Sequence, residues 1–330
     1  MNKRTFLAGA ASAAAALYAG GVPAPAPAAP ETPKELHVGY QKIGALLIVK
    51  DQGLLEKRLA AQGTAVRWVQ FQSGPPLIEA LNAGAIDFGY TGDTPPIFAQ
   101  ASGVSFVYVA SMPVVGKSNA ILVRGNSGIK TIADLRGKKV AFVKGSSAHN
   151  VVVQTLAKAH LAYSDITPVY LQPADAAAAI QSGAVDAWSI WDPFYAVAER
   201  YPGVTLLTNA EGIAPTNSFF LATREYAARY PSTISAVVDE AQRGWRWAEK
   251  HQDKLAQVLA DASGVDLAAE KVVASRSDYE VSYITSGVVR QQQAIADTFS
   301  KLGLIPRSIQ ISDVVWSPNG KSLSATGAQH

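Results

Sequence analysis

The sequence predicts an α/β protein of two similar lobes, which are joined by two crossovers and enclose a ligand cleft. Two observations lead to this fold class: one phrase of the sequence occurs twice, about a hundred residues apart, and predicted strands alternate with predicted helices. This alternation is typical of parallel sheets with helices on both faces. Ligands bind such sheets at the carboxyl ends of the strands, so two facing lobes would form one cleft.

The repeated phrase lies at residues 79–96 and again at residues 179–193. Each copy has an apolar helix end, then a glycine, then a short apolar strand. Each copy closes with an aspartate, Asp93 or Asp192, that is followed closely by proline. A glycine readily stops a helix, and Asp with Pro readily begins one, so each copy predicts a helix, a buried strand and a second helix start.

The remaining strands divide the chain between the lobes. Strands are predicted at 36–40, 66–71 and 106–110 in the first half, and at 119–123, 139–143, 169–171 and 204–207 in the second. The chain is expected to cross over at 112–118 and to return over 209–217 into a strand at 218–222, after which residues 224 to about 304 have a helical pattern. The predicted boundaries are 34–117 with 213–316 for lobe 1, 118–212 for lobe 2, and 317–330 for a flexible tail.

The first 33 residues read as a signal peptide and a spacer. Lys3 and Arg4 precede a short alanine-rich run, which is typical of an export signal and too short for a membrane span. Residues 3–7 resemble a twin-arginine signal in which lysine replaces the first arginine, so the Sec route and the Tat route both stay open. Alternating alanine and proline at 23–33 indicate an extended spacer. We therefore expect an exported protein.

The composition argues against several classes of protein. The formal charge of +3 falls to +1 without Lys3 and Arg4, so no basic field indicates nucleic-acid binding. The absence of cysteine excludes disulfides, thiolate metal sites and a cysteine nucleophile. The five histidines lack metal-ligand spacing, and the common phosphate, dinucleotide, zinc-protease and serine-hydrolase motifs do not occur. We expect no cofactor, no metal and no enzyme activity.

A helix start at residues 146–149 is the first candidate for an anion site. The N-terminus of a helix presents unpaired N–H groups and a partial positive charge, which suit an oxyanion. Ser146 or Ser147 could bind a ligand oxygen or simply cap the helix. Ala148 follows, and His149 in the first turn could favour an anion when protonated or could be a surface residue without a role.

The first lobe has a matching turn, Gly92-Asp93-Thr94. We expect Asp93 to cap the next helix, whereas the N–H and hydroxyl of Thr94 would face an anion. Gln41 ends the first strand at the cleft position, where its amide could donate to a ligand; a solvated loop glutamine is the alternative.

The strand end at Trp191 and Asp192 leaves more than one function open. Trp191 could form the floor of the cleft, and Asp192 could cap a helix or accept a hydrogen bond from a ligand. For an enzyme, Asp192 with His149 is the candidate acid and base pair. For a cationic or neutral heterocycle, Asp93, Asp192 and Trp191 could form a binding box.

Five short segments together resemble the aliphatic sulfonate-binding proteins of ABC importers. They are residues 39–44, 91–96, 144–146, 163–166 and 191–193, and the likeness runs from about residue 34 to beyond 307. The resemblance implies a type II periplasmic-binding-protein fold and a site lined by Gln41, Gly92, Asp93, Thr94, Ser146, Ser147, Ala148, His149, Trp191 and Asp192, with Thr216 and Asn217 at the return crossover.

The same resemblance implies a function and partners. We expect a monomer in the periplasm that captures an aliphatic sulfonate and delivers it to an ABC permease with its ATPase. Binders of taurine, nitrate and thiamine precursors share the fold, so these ligands stay alternatives. A sulfonate spreads one charge over three oxygens, and we expect backbone and hydroxyl donors to hold it without a buried lysine or arginine.

Overall fold

The computed structural model describes residues 31–114, 116–213 and 216–318. The predicted signal peptide, most of the predicted spacer and the tail from residue 319 onward lie outside the described residues. Within the described ranges, no helix has both the length and the apolar character that a membrane span requires.

The first sheet has six strands in the order β11-β4-β10-β3-β1-β2. They are β1 (Glu35–Tyr40), β2 (Ala65–Gln70), β3 (Phe88–Thr91), β4 (Phe106–Val114), β10 (Thr216–Thr223) and β11 (Ser282–Tyr283). Strand β1 is parallel to β2 and β3, whereas β10 is antiparallel to β3 and β4. We call this sheet and the helices packed on it the first lobe.

The second sheet has five strands in the order β7-β6-β8-β5-β9. They are β5 (Asn119–Arg124), β6 (Lys139–Phe142), β7 (Thr167–Tyr170), β8 (Ala187–Trp191) and β9 (Val204–Asn209). Strand β6 is parallel to β7 and β8, whereas β5 is antiparallel to β8 and β9. This sheet and its helices form the second lobe.

The two sheets confirm the prediction of two similar α/β lobes. The order β2-β1-β3-β10-β4 in the first sheet corresponds to β7-β6-β8-β5-β9 in the second, with the same parallel and antiparallel neighbours. In each sheet the antiparallel strand, β10 or β5, is the one that the chain enters after crossing over from the other sheet. The lobe boundaries at 117/118 and 212/213 stay a prediction.

Twelve helices are found in the described part of the chain. They are α1 (Ala45–Asp51), α2 (Leu54–Ala60), α3 (Gly74–Asn82), α4 (Thr94–Ala101), α5 (Ser147–Lys158), α6 (Pro173–Ser182), α7 (Phe194–Ala198), α8 (Arg224–Arg229), α9 (Pro231–Lys250), α10 (Gln252–Ser263), α11 (Leu267–Ser275) and α12 (Ser286–Lys301). The repeated phrase forms α3, β3 and α4 in one lobe and α6, β8 and α7 in the other. Its glycines end the helices as predicted, because Gly84 and Gly183 have φ of 70° and 79°.

Buried apolar side chains pack on both faces of each sheet. Trp188 of β8 lies in this core, as its position in the predicted strand suggested. Strand β11 was not predicted, because it has two residues and interrupts a segment with an otherwise helical pattern. The sheets therefore place the carboxyl ends of β1, β3, β6 and β8 where the lobes face each other.

Candidate functional site

A cavity of about 440 Å³ lies between the two sheets and is lined by strand ends, helix starts and both crossovers. Nine of the twelve predicted site residues line it: Gln41, Gly92, Asp93, Ser146, Ser147, Trp191, Asp192, Thr216 and Asn217. The structure does not bring Thr94, Ala148 and His149 to the cavity wall.

The start of α5 presents donors that have no partner in the described part of the chain. The backbone N–H and the hydroxyl of Ser146 both donate to the Val143 carbonyl, at 3.2 and 2.8 Å, so this hydroxyl neither caps α5 nor offers its proton to a ligand. The N–H groups of His149 and Asn150 donate to the Ser146 carbonyl. The N–H and hydroxyl of Ser147 and the N–H of Ala148 have no hydrogen-bond partner within the described ranges. Ser147 lines the cavity, whereas Ala148 is fully buried. Although the side chain of Ala148 points elsewhere, its N–H belongs to the positive end of a twelve-residue helix.

His149 lies beneath this turn rather than in the cleft, which corrects both expectations for it. Its ring is fully buried and stacks on Phe142, with 4.8 Å between the ring centres. Its Nδ1 accepts the Gly145 N–H at 3.2 Å, which leaves Nε2 to donate to the Tyr163 hydroxyl at 3.0 Å. Burial, with a smaller contribution from Lys144, lowers the pKa of His149 to about 3. A neutral His149 therefore supports the Gly145 turn, and its side chain supplies no positive charge to a ligand.

The start of α4 already has a carboxylate against it. The Asp93 side chain is 2% exposed and accepts hydrogen bonds from the Thr94 hydroxyl at 2.9 Å and from the Asn150 amide at 2.6 Å. Burial raises the pKa of Asp93. The expectation for Thr94 is corrected, because its hydroxyl is donated to Asp93. The expectation that Asp93 simply caps α4 is also corrected, because its side chain makes no cap hydrogen bond and binds Asn150 of the second lobe instead.

Gln41, Trp191 and Asn217 are held by contacts that fix their place in the wall. The Gln41 amide donates to the Tyr90 carbonyl at 3.1 Å and is buried, so it is not a solvated loop residue. The Trp191 ring is half-buried and meets Phe194 edge to face at 6.2 Å. The Asn217 amide donates to Gln291 at 2.8 Å.

Asp192 ends the repeated strand β8 and is 1% exposed. It accepts the Ala196 N–H at 3.0 Å and lies 3.4 Å from the Arg276 guanidinium, which comes from the first lobe. Arg276 also donates to Glu199 at 2.7 Å and lies over the Tyr195 ring at 4.2 Å. Burial raises the pKa of Asp192 to about 7, although Arg276 acts in the opposite direction.

Of the two alternative functions, only the enzyme loses its predicted pair of residues. Asp192 and His149 do not form an acid and base pair, because His149 contacts Gly145 and Tyr163 behind the cleft wall. In the predicted cation box both oxygens of Asp93 and Oδ1 of Asp192 accept hydrogen bonds from the protein, whereas Asp192 Oδ2 has no partner among the described residues. The described residues also contain no group of three or more acidic or histidine side chains that could hold a metal ion.

Sequence reasoning missed Asn150, Trp245 and Arg276, which also line the cleft. Asn150 lies four residues after Ser146 and so on the same face of α5, a spacing that could have indicated it. Trp245 and Arg276 come from the C-terminal helices, whose docking against the cleft has no local signal. Arg276 places a guanidinium at the cleft wall, with its charge balanced by Asp192 and Glu199; that the anion is held without lysine or arginine stays a prediction.

Comparisons with known proteins identify the family of the chain. Residues 59–255 match the NMT1/THI5-like family. The protein named as an aliphatic sulfonates-binding protein in Escherichia coli (strain K12) is 42% identical over 305 residues, which are 90% of this chain and 94% of that protein.

Two solved structures show the same architecture. The alkanesulfonate-binding protein SsuA from Xanthomonas axonopodis pv. citri, bound to MOPS, matches with a TM-score of 0.82 and 39% identity over 87% of this chain and 99% of that chain. The periplasmic aliphatic sulphonate binding protein SsuA from Escherichia coli matches with a TM-score of 0.80 and 40% identity over 89% and 96%. The resemblance seen in the sequence is therefore confirmed, and this chain belongs to the NMT1/THI5-like family, among its aliphatic sulfonate-binding proteins.

Proposed function

We propose that this protein is the exported solute-binding component of an ABC importer, which captures an aliphatic sulfonate between its lobes and delivers it to a membrane permease with its ATPase. One observation carries the proposal: the start of α5 lines the cleft and has unpartnered donors at Ser147 and Ala148 within the described residues. A sulfonate is a permanent anion with three acceptor oxygens, which matches donors that add no side-chain charge.

Hydrogen bonds to the anion and burial of its tail both have to contribute to the affinity. Each charge-assisted hydrogen bond contributes about 1.5–3 kcal/mol. Three such bonds, with a tail packed on Ile43, Met112 and Trp191 in the cleft wall, must offset an association cost of about 4–15 kcal/mol. Micromolar affinity corresponds to a net binding free energy of about 8 kcal/mol, so the buried tail has to contribute in addition to the three hydrogen bonds, which together give about 4.5–9 kcal/mol.

The crossovers provide a route for closure. The connections from β4 to β5 and from β9 to β10 join the lobes, and both line the cleft at Gly116 and Ile213. We infer that the anion binds first at α5, that the lobes close by hinge bending at these connections, and that the closed form docks on the permease. Small-angle scattering checks this step, because profiles unchanged by saturating ligand would contradict large-scale closure.

The compartment and assembly state belong to the same proposal. The Escherichia coli relative is named as periplasmic, and the N-terminal sequence of this chain has the pattern of a signal peptide. We therefore place the mature protein in the periplasm as a monomer, exported by the Sec or the Tat route.

Calorimetry on the purified protein tests the ligand class. Linear alkanesulfonates of increasing length, taurine, sulfate, nitrate and a thiamine-like pyrimidine are titrated at low salt. Stoichiometric micromolar binding of the alkanesulfonates, with intact ligand recovered afterwards, is the expected result. If the alkanesulfonates give no binding heat and taurine, nitrate or the pyrimidine does, the ligand assignment changes to that compound. Steady turnover of a ligand would show that the protein is an enzyme rather than a binding protein.

A further inference from the structure

The repeated aspartates, Asp93 and Asp192, occupy equivalent places in the two lobes. Each follows the third parallel strand of its sheet, β3 or β8, and stands before the helix that comes next. Both side chains are almost completely buried, at 2% and 1% exposure. A carboxylate repels an anion, so two buried carboxyl groups are not expected to help bind one. Their repetition needs another explanation.

Each repeated aspartate takes a donor from the opposite lobe. Asp93 of the first lobe accepts the Asn150 amide of α5 at 2.6 Å. Beside this contact, Gly92 lies so close to α5 that a Cβ on it would stand 3.0 Å from the Ser147 Cβ. The lobes are therefore in direct contact on this side of the cleft.

Asp192 of the second lobe receives its donor from the first. Arg276 follows α11, and α11 is anchored in the core of the first lobe by Val273 and Ala274. The Arg276 guanidinium extends from that lobe and contacts Asp192, Glu199 and the Tyr195 ring, which all belong to the second lobe. Its side chain is only 17% exposed there.

We propose that the two repeated aspartates are interlobe latches. Each binds a side chain of the other lobe, and together they hold the cleft shut. Asp93 with Asn150 is the amide latch, and Asp192 with Arg276 is the arginine latch. This inference rests on the arrangement of the lobes and does not depend on which ligand the cleft takes.

The chemistry of the partners suits reversible closure. In the closed arrangement both carboxyl groups are buried, and their donors matter because an unpaired buried polar group costs free energy. Asp93 accepts at both oxygens and Asp192 at Oδ1, while Asp192 Oδ2 has no partner among the described residues. When the lobes separate, water replaces the lost donor, so no carboxyl is left both buried and unpaired. The arginine latch adds a planar guanidinium that binds two carboxylates and stacks on an aromatic ring, an arrangement that lysine cannot reproduce.

The same two helices offer a matched control. Arg200, after α7, pairs with Asp266, before α11, so this pair also joins the lobes. Its side chains are 56% and 54% exposed, and exposed ion pairs contribute little. Removing Arg200 deletes one interlobe arginine without touching a repeated aspartate.

Distance measurements on the full chain test the latches. The chain has no cysteine, so A60C on α2 and A178C on α6, both at exposed positions, accept one spin label in each lobe without background. The interlobe distance distribution is recorded by double electron–electron resonance for this labelled parent and for N150A, R276K, R276Q and R200Q, with and without ethanesulfonate. Stopped-flow gives the dissociation rate of ethanesulfonate, and circular dichroism checks folding.

We expect R276Q to lower the ratio of closed to open molecules by about tenfold and to speed ethanesulfonate dissociation similarly, because a charge-assisted contact is lost. R276K should give an intermediate shift, N150A a shift of about fivefold, and R200Q almost none. Distributions and dissociation rates for R276Q and N150A that match the parent would overturn the inference, as would an equal shift in R200Q. If R276Q does not fold, R276K tests the arginine latch, and a distance distribution for R276K that matches the parent would contradict it. If the parent does not bind ethanesulfonate, the sulfonate proposal fails and the ligand-free distances alone decide the latches.

Discussion

Two helix starts meet in the cleft, α4 from the first lobe and α5 from the second, and they differ as anion sites. At α4 the Asp93 carboxyl accepts hydrogen bonds from the Thr94 hydroxyl and the Asn150 amide, and the prolines at positions 95 and 96 have no N–H. At α5 the N–H groups of Ser147 and Ala148 have no partner among the described residues. The start of α4 therefore already holds a buried carboxyl group, whereas the start of α5 has donors that are free to bind an anion.

The difference shows that two lobes with the same topology need not contribute equally to binding the charged group of the ligand. In the first lobe the polar turn serves contact with the second lobe through Asn150. In the second lobe the polar turn has a free positive end and a supporting core of neutral aromatic side chains around His149. We expect the anion to bind on α5 and the first lobe to cover it with Gln41 and Gly92.

The largest expected effect comes from removing a backbone donor at α5. Ser147→Pro deletes the N–H and the hydroxyl at the first helical position, a position that tolerates proline well. The preceding residue, Ser146, has the extended conformation that a residue before proline prefers. We expect alkanesulfonate affinity to fall at least about 10- to 100-fold, which corresponds to the loss of one charge-assisted bond. Calorimetry measures the change.

Two substitutions of hydroxyl groups provide the controls. Ser147→Ala keeps the N–H and should lose only part of the affinity. Thr94→Ala at the first position of α4 should leave the affinity almost unchanged, since its hydroxyl serves Asp93. An equal loss in Thr94→Ala and Ser147→Ala would show that the two helix starts are equivalent.

A smaller effect is expected from filling the contact between the helix starts. Gly92→Ala places a methyl group 3.0 Å from the Ser147 Cβ, so the lobes cannot approach as closely. We expect affinity to fall about fivefold, with little change in the thermal midpoint because the clash exists only between lobes.

A double variant shows whether this clash is the cause. In a Ser147→Gly background the opposing Cβ is absent, so adding Gly92→Ala should cost nothing further. If Gly92→Ala weakens binding equally in both backgrounds, the lobes do not meet at this point when ligand is bound.

The smallest expected effect is a dependence of affinity on pH through Asp192. Its pKa is raised to about 7 by burial, with Arg276, Glu199 and Tyr195 as the charged or titratable neighbours. An anion in the cleft favours the protonated carboxyl, so binding takes up part of a proton and affinity should rise about threefold from pH 8 to pH 6. Titrations in two buffers of different ionisation enthalpy measure the proton uptake.

Asp192→Asn is the matched variant for this measurement. It removes the titrating group, so the slope of affinity against pH should flatten even if the affinity itself changes through the Arg276 contact. A slope that persists unchanged in Asp192→Asn would assign the proton to another group.

The repeated phrase was enough to predict the fold, because each copy encodes a complete helix, strand and helix start through local signals such as Gly84 and Gly183. The predicted turns also fall at the cleft for the same reason, since strand ends and helix starts share one edge of a sheet. The roles of the side chains in those turns were harder to predict.

The failures share one physical cause, which is contact with residues outside the local turn or helix start. Asp93 has the local pattern of a helix cap, but its partner Asn150 is 57 residues away in the other lobe. Asp192 has the same pattern, but its charged partner Arg276 is 84 residues away. The position of His149 in a first turn gave no sign that Phe142 and Tyr163 would cover its ring.

The most direct test of the central claim is the response of individual backbone amides to ligand. A ¹⁵N-labelled sample is titrated with ethanesulfonate, and the amide proton shifts of Ser147, Ala148 and Thr94 are followed by transverse-relaxation-optimised spectroscopy. We predict large downfield shifts for Ser147 and Ala148, which donate to the sulfonate oxygens, and a small shift for Thr94. A dominant shift at Thr94, or none at Ser147 and Ala148 under saturation, would contradict an anion site at the start of α5.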